Sequence, residues 1–250
     1  MESLVTVPAS LASAEQRAGR AGRLRPGRAL RLWSPAEQQR RPAFDPPAVM
    51  EADPAPLVLQ LAEWGAGLGE TLPWLEPPPE AHLREGQGLL LQLGALEEGG
   101  KLNAHGRRLA NLGVHPRLAQ LLLRSCELGA VDLGCSLAAL LSERDPLSQL
   151  EAGSDLMRRL DWLRSSGRDP RRQQLRQLQQ QLRRQLPEQP PAEAPADSEA
   201  AVAAELLAYA YPERVALERT QGSGRYLTRS GRGAVLHPSD PLVGSPALAI

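Results

Sequence analysis

Leucines recur along the middle of the chain with a helical period. Leu57, Leu61, Trp64 and Leu68 are spaced by four, three and four residues, which places them on one helical face. A second helix is predicted from Glu80 to Leu93, ending at Gly94. Ala95–Glu97, Gly99-Gly100 and Lys101-Leu102 then read as a small hairpin, and Asn103 as the N-cap of the next helix. From Pro116 onward the pattern strengthens. Leu118, Leu121, Leu122, Leu133, Leu137, Leu140 and Leu141 predict two packed helices with a break near Gly129, closed by Asp145-Pro146. Leu156, Leu160 and Leu163 make a third stripe. Leu175, Leu178, Leu182 and Leu186 make a fourth, on a helix otherwise built of Gln and Arg. Residues 187–199, rich in Pro, Ala and Glu, read as a flexible linker, and Ala200–Ala210 as a further helix.

Strand signals are few. Arg28–Trp33 alternates Arg28/Leu30/Leu32 with Ala29/Arg31/Trp33, the pattern of a short strand. Ser34-Pro35 and Pro42–Pro47 mark a linker after it. Arg225–Leu236 reads as two strands about Ser230-Gly231, followed by a Pro-rich end with no closing element. The fold class is therefore mainly α. Composition agrees: there are 45 leucines, one isoleucine and 3% aromatics in 250 residues.

Charge adds a second layer. The formal net charge is zero, but it averages unlike segments. Gln16–Arg41 holds eight arginines and one acid; Asp45–Gly100 holds ten acids and one arginine; Arg158–Arg184 holds nine arginines and two acids. Only the basic zones suit phosphates. Lys101 is the single lysine, within Gly100-Lys101-Leu102, and Ala95 stands where a phosphate loop would need its first glycine. No nucleotide is expected to bind the 250 residues through such a loop. No run approaches the roughly 18 apolar residues of a membrane span. Glu2 and Pro8 argue against a signal peptide, so a cytoplasmic location without membrane contact is expected. Cys126 and Cys135 lie in an apolar helical pattern and read as core, with no metal expected.

The segment with the sharpest chemistry is Gln16-Arg17-Ala18-Gly19-Arg20-Ala21-Gly22-Arg23. Arginines at 17, 20 and 23 project from nearly one side of a helical turn, and Gly19 and Gly22 would admit a second backbone. Guanidinium groups can chelate phosphate oxygens and stay charged. His82, His105, His115 and His237 have no triad partners in the sequence. Trp64, Trp74 and Trp162 fit core positions better than base-stacking ones. The Arg/Gln helix 171–186 fits a solvated amphipathic helix better than a phosphate tracker.

Gln16–Arg23 fills every specified position of the Q-R-x-G-R-x-G-R motif and so resembles superfamily 2 helicases of the DEAH-box type. Ser13-Ala14, Gly27–Trp33, Leu75-Glu76-Pro77-Pro78 (with Glu where the family has Asp), Leu93–Leu96, Leu102–Gly106, His115–Ala119, Ala138–Leu147, Ser154–Leu156 with Arg159-Leu160, and Gly224–Leu227 with Gly231–Gly233 follow in the family's order. The resemblance spans about residues 3–240. It implies four parts. Residues 1–34 would end the second RecA-like domain, 45–108 form a winged helix, 109–210 a helical bundle of the ratchet type, and 211–250 an incomplete β unit.

The resemblance also implies roles. Gln16 would position the attacking water, Arg20 and Arg23 would be arginine fingers, Arg17 would be structural, and Gly19 and Gly22 would shape the motif backbone. ATP and Mg²⁺ would be cofactors of the complete enzyme, and single-stranded RNA or DNA its partner. Most of the RecA-like part lies outside the 250 residues and no Asp-Glu dipeptide occurs. The chain alone is therefore expected to be inactive, a fragment or a truncated descendant needing RecA-like domains in cis or in trans. The alternative is a non-catalytic module that binds nucleic acid or a helicase.

Overall fold

The structure is a computed structural model and describes residues 7–147, 153–187 and 197–250. About half the chain is helical, and the remaining regular structure is one small antiparallel sheet. Helix α1 (Leu11–Ala21) is followed by two short helices, α2 (Pro35–Arg40), inside the stretch expected to be a linker, and α3 (Ala48–Glu51), just after it. Ser34 explains α2. Its side chain accepts from the Glu37 N–H at 3.2 Å while the Glu37 carboxylate accepts from the Ser34 N–H at 2.7 Å. The segment Arg28–Trp33 forms no strand. It has no pairing partner among the described residues, and Leu30 and Leu32 are 86% and 91% exposed. Alternation was present, but a strand needs a neighbour to satisfy its backbone.

Helices α4 (Ala55–Trp64), α5 (Glu80–Gln92) and α6 (Ala104–Asn111) form the next unit. Leu61 is buried as expected, whereas Trp64, at the last turn of α4, is exposed. The hairpin between α5 and α6 contracts to a single bridge, Leu96 to Leu102. Asn103 caps α6, accepting from the Gly106 N–H at 2.8 Å, while its amide donates to the Gly94 carbonyl.

The centre is the antiparallel pair α7 (Pro116–Glu127) and α8 (Val131–Ser142), which turns at Gly129. The two helices approach so closely that a Cβ on Gly134 would lie 2.3 Å from the Ser125 side chain. Every residue from Leu133 to Leu140 is buried, because α9 (Leu156–Arg164), α10 (Pro170–Gln185) and α11 (Glu199–Ala210) also pack on this pair. One apolar core runs from Val58 on α4 to Ala210 at the end of α11. The expected linker 187–199 lies mostly outside the described residues.

Arg159 on α9 is 1% exposed. Its Nε donates to both Asp145 oxygens at 3.0 Å, and its Nη2 to Asp145 Oδ2 at 2.6 Å. Its Nη1 and Nη2 reach the Asp155 and Gly153 carbonyls at 2.8 and 2.9 Å. Such saturation is what allows a buried charge to persist.

The C-terminal sheet has four strands rather than two. β1 (Val215–Glu218), β2 (Arg225–Thr228), β3 (Gly233–Val235) and β4 (Ala247–Ala249) lie in the order β3-β2-β1-β4, all antiparallel. The expected turn about Ser230-Gly231 is present, closed by Gly231 N–H to the Thr228 carbonyl at 2.9 Å. The Pro-rich end does supply a further element, since Ala247–Ala249 pairs with β1.

The α7–α8 approach makes a test. In an isolated helix alanine is favoured over glycine by about 1 kcal/mol. Here Gly134→Ala should instead destabilise the fold by about 1–3 kcal/mol, read as a lower urea midpoint, and Ser125→Gly should recover part of the loss.

Candidate functional site

Helix α1 is anchored at one end. Ser10 is fully buried and its hydroxyl accepts from the Ser13 N–H at 3.0 Å. The Leu11 and Ala12 N–H groups donate to the Pro42 and Ala43 carbonyls at 2.9 and 3.0 Å, and Arg41 Nη1 reaches the Ala9 carbonyl at 2.7 Å. Arg41 also lies 3.9 Å from the Trp33 ring centroid, and Trp33 donates to Gln38. Ala14 forms the buried face.

Gln16, Arg17 and Arg20 lie on the exposed side of α1, and Arg23 follows in the turn after it. Gln16 and Arg20 are one turn apart, so both side chains leave from one strip. Arg17, Arg20 and Arg23 are exposed and form no salt bridge among the described residues. Glu15, the one acid on the helix, pairs with Arg31. The strip therefore offers amide and guanidinium donors suited to phosphate oxygens, with its only carboxylate already engaged. Gly19 and Gly22 face open space: among the described residues nothing lies within 4 Å of where their Cβ atoms would be. The close approach occurs at Gly27, where a Cβ would fall 1.9 Å from the Ala21 carbonyl oxygen.

The other candidates have structural partners. His105 meets Gln120 at 2.6 Å, His82 the Ala52 carbonyl at 2.7 Å and His237 the Ser239 hydroxyl at 2.7 Å. Burial pushes the Cys135 thiol up to about 12 and raises that of Cys126. Trp74 donates to the Gly69 carbonyl at 2.7 Å, and Trp162 is covered by Arg172 at 4.6 Å. On α10, Arg172 donates to the Trp162 carbonyl, and Arg176 to the carbonyls of Leu163, Arg164 and Ser165. Two of that helix's arginines thus cap the C-terminus of α9. Among the described residues no cluster of His, Cys, Asp or Glu could hold a metal, and no helix is long and apolar enough to cross a membrane.

The junction around Arg117 joins residues far apart in the sequence. Arg117 is 8% exposed and forks onto Glu213 at 2.7 and 3.0 Å, with a further bond to the Ala210 carbonyl at 3.1 Å. His115 Nδ1 accepts from the Arg117 N–H, and its Nε2 lies 3.2 Å from Asp53, which in turn accepts from the Ala55 N–H. The segments before α4, before α7 and before β1 therefore meet there. Glu213 lies 96 residues from Arg117 and carries no local signal of the contact.

A helix that offers unpaired guanidinium groups, followed by a helical bundle and a small sheet, has homologues among known proteins. The chain is homologous to the C-terminal part of DEAH-box ATP-dependent RNA helicases. In particular, it is 33% identical over 240 residues to the ATP-dependent RNA helicase HrpB of Escherichia coli, covering 96% of the chain and 27% of that protein. It is 36% identical over 153 residues to the HrpA homologue of Haemophilus influenzae, covering 58% of the chain and 12% of that protein. Two crystal structures of E. coli HrpB superpose with TM-scores of 0.76 and 0.78 at 34% identity. They cover 98% and 97% of this chain, which spans 28% and 29% of theirs. No protein-family profile matches.

The His115–Asp53 contact has a pH signature. The hydrogen bond from His115, opposed by partial burial and assisted by the Ala55 N–H, holds the Asp53 carboxyl down at about 2. A depressed folded-state value contributes stability above the ordinary aspartate range and loses it as pH falls toward about 2. Asp53→Asn should flatten this acid limb of the melting temperature, measured by calorimetry from neutral pH downward. Parallel limbs in the two proteins would show that the pair contributes nothing.

Proposed function

We propose that the chain is the C-terminal portion of an ATP-dependent RNA helicase, and that it supplies one half of an ATPase site together with parts that hold a single strand. The observation carrying this reading is the exposed strip of Gln16 and Arg20 on an anchored helix, with Arg23 in the turn that follows and the guanidinium groups unpaired among the described residues. ATP with Mg²⁺ would supply the phosphoryl group to be transferred to water, held by RecA-like elements on another segment. Gln16 would orient the attacking water. Arg20 and Arg23 would donate to the outer phosphate oxygens as negative charge spreads over them. Such fingers are worth about 10³–10⁵ in rate. Arg17 would hold the motif in place. Because the donors and the phosphate loop lie on different bodies, hydrolysis would require the two to close on each other.

In this reading residues 1–34 end the second RecA-like domain, 45–108 are the winged helix, 109–210 the ratchet-type bundle and 211–250 the β unit. RNA is the favoured substrate over DNA because the homologues are named RNA helicases. The exposed, unpaired Arg28–Trp33 segment would pair with the sheet of that RecA-like domain. A cytoplasmic location fits this assignment.

One observation supports a second reading, a non-catalytic module that binds nucleic acid or a helicase. The core from Val58 to Ala210, with the side chains packed against it, draws on no residue before Leu57. One experiment separates the two. The purified chain should show no steady-state ATP hydrolysis. Adding a polypeptide that carries the RecA-like domains and their phosphate loop should restore hydrolysis, and Arg20→Ala should lower the restored rate by about 10³-fold or more. Binding of single-stranded RNA, weakening with salt, should survive in Arg20→Ala. Hydrolysis by the chain alone, or restoration indifferent to Arg20, would refute the finger assignment. RNA binding without any restoration would favour the module.

A further inference from the structure

The outer face of the C-terminal sheet has no role in the ATPase reading. On β1 and β2, Leu217 stands opposite Leu227. The ladder continues at both ends, through Arg219 N–H to the Arg225 carbonyl at 2.8 Å and Arg229 N–H to the Val215 carbonyl at 3.0 Å. Side chains alternate across a sheet. Ala216 and Tyr226 are buried on the inner side, so Val215, Leu217, Arg219, Arg225, Leu227 and Arg229 share the outer one. Leu217 is 63% exposed and Leu227 39%. On β3, Val235 lies opposite Arg225 and is 73% exposed.

Two features of this face call for a partner. The first is charge. Arg219 and Arg225 are like charges in directly opposed positions, which destabilises a sheet unless an anion lies between them. Arg219, Arg225 and Arg229 are exposed and have no salt-bridge partner among the described residues. Glu218, their neighbour, spends its carboxylate on the Gly222 and Gly224 N–H groups at 3.0 Å. The second is shape. An open groove of about 590 Å³ runs beside the leucine pair, lined by Pro212, Val215, Leu217 and Leu227 with Arg219 and Arg229 among its walls.

We propose that this face docks an extended acidic polypeptide with the pattern acid-x-apolar-x-acid. The spacing follows from the sheet. Arg219/Arg225, Leu217/Leu227 and Val215/Arg229 succeed one another every two residues along the strands. An extended chain presents its own side chains on one face with the same two-residue period, about 6.6 Å. An acid would therefore meet the arginine pair, the apolar residue would enter the groove beside the leucines, and the second acid would meet Arg229. Single-stranded nucleic acid fits less well, because such sheets hold bases by stacking them on exposed aromatic rings. Tyr226, the aromatic residue of these strands, faces inward and bonds the Leu242 and Ser245 carbonyls at 3.2 and 3.0 Å.

The test is fluorescence anisotropy on the full chain with a labelled peptide of repeating Glu-Thr-Leu-Thr. Saturable binding that weakens with salt is expected. Leu217→Ser should weaken it about tenfold, as should the double variant Arg219→Gln/Arg225→Gln. Circular dichroism should show both variants folded, since all three positions are exposed. Arg219→Glu/Arg225→Glu should reverse the preference and bind a Lys-Thr-Leu-Thr repeat instead. The proposal is overturned if the acidic peptide does not bind the wild-type chain, if binding ignores the folded variants, or if an oligouridylate displaces the peptide from the same arginines.

Discussion

The bundle depends on how closely α7 and α8 can approach. Gly134 meets Ser125 with no room for a Cβ, and this contact brings two leucine-rich faces into one layer. A wider spacing would leave voids that side chains of fixed volume cannot fill. Helices α9, α10 and α11 all pack against this pair, and α6 leans on α7. Even the sheet is tied to it, because Arg117 at the start of α7 forks onto Glu213 just ahead of β1. The strip on α1 lies outside this core and is held by backbone bonds to residues 42 and 43 instead.

The bundle helices were legible in the sequence because their leucines repeat at the helical period, and Asn103 marked the start of α6 as its N-cap. What failed was whatever depends on a distant neighbour. Arg28–Trp33 alternates as a strand does, yet alternation cannot reveal whether another strand lies beside it. β1 and β4 are short, and their pairing joins Val215 to Ala249 across more than thirty residues, so neither announces itself locally. The Ser34–Glu37 capping box was legible but lay hidden in a stretch that read as a linker. In the candidate site, the sequence indicated that Arg17 and Arg20 would share a helical segment, whereas Arg23 falls in the turn beyond α1. The anchoring at Pro42 and Ala43, and the openness around Gly19 and Gly22, could not be read from the sequence.

The arginine bias gains a physical meaning from the structure. Arg117, Arg159, Arg172 and Arg176 each engage several oxygens at once, from carboxylates or from the open end of a helix. A planar fork with five donors can do this, whereas an ammonium group at the end of a flexible stem cannot hold the same geometry. Much of the basic charge between Arg158 and Arg184 is thus structural. Arg17, Arg20 and Arg23, on and just after α1, and Arg219, Arg225 and Arg229 on the outer sheet face form no salt bridge among the described residues.

The way α1 is fastened sets a direction for mechanical load. Its first turn is stitched to residues 42 and 43 and clamped by Arg41, while its last turn runs into the exposed stretch Gly22–Leu32. The backbone fastening is thus at the N-terminal end, and Arg17 and Arg20 lie toward the other. The bonds to Pro42 and Ala43 join α1 to the segment that leads into α3, and the Glu15–Arg31 pair joins it to the loop as well. Whatever grips the guanidinium groups also holds a handle on the helices beyond them.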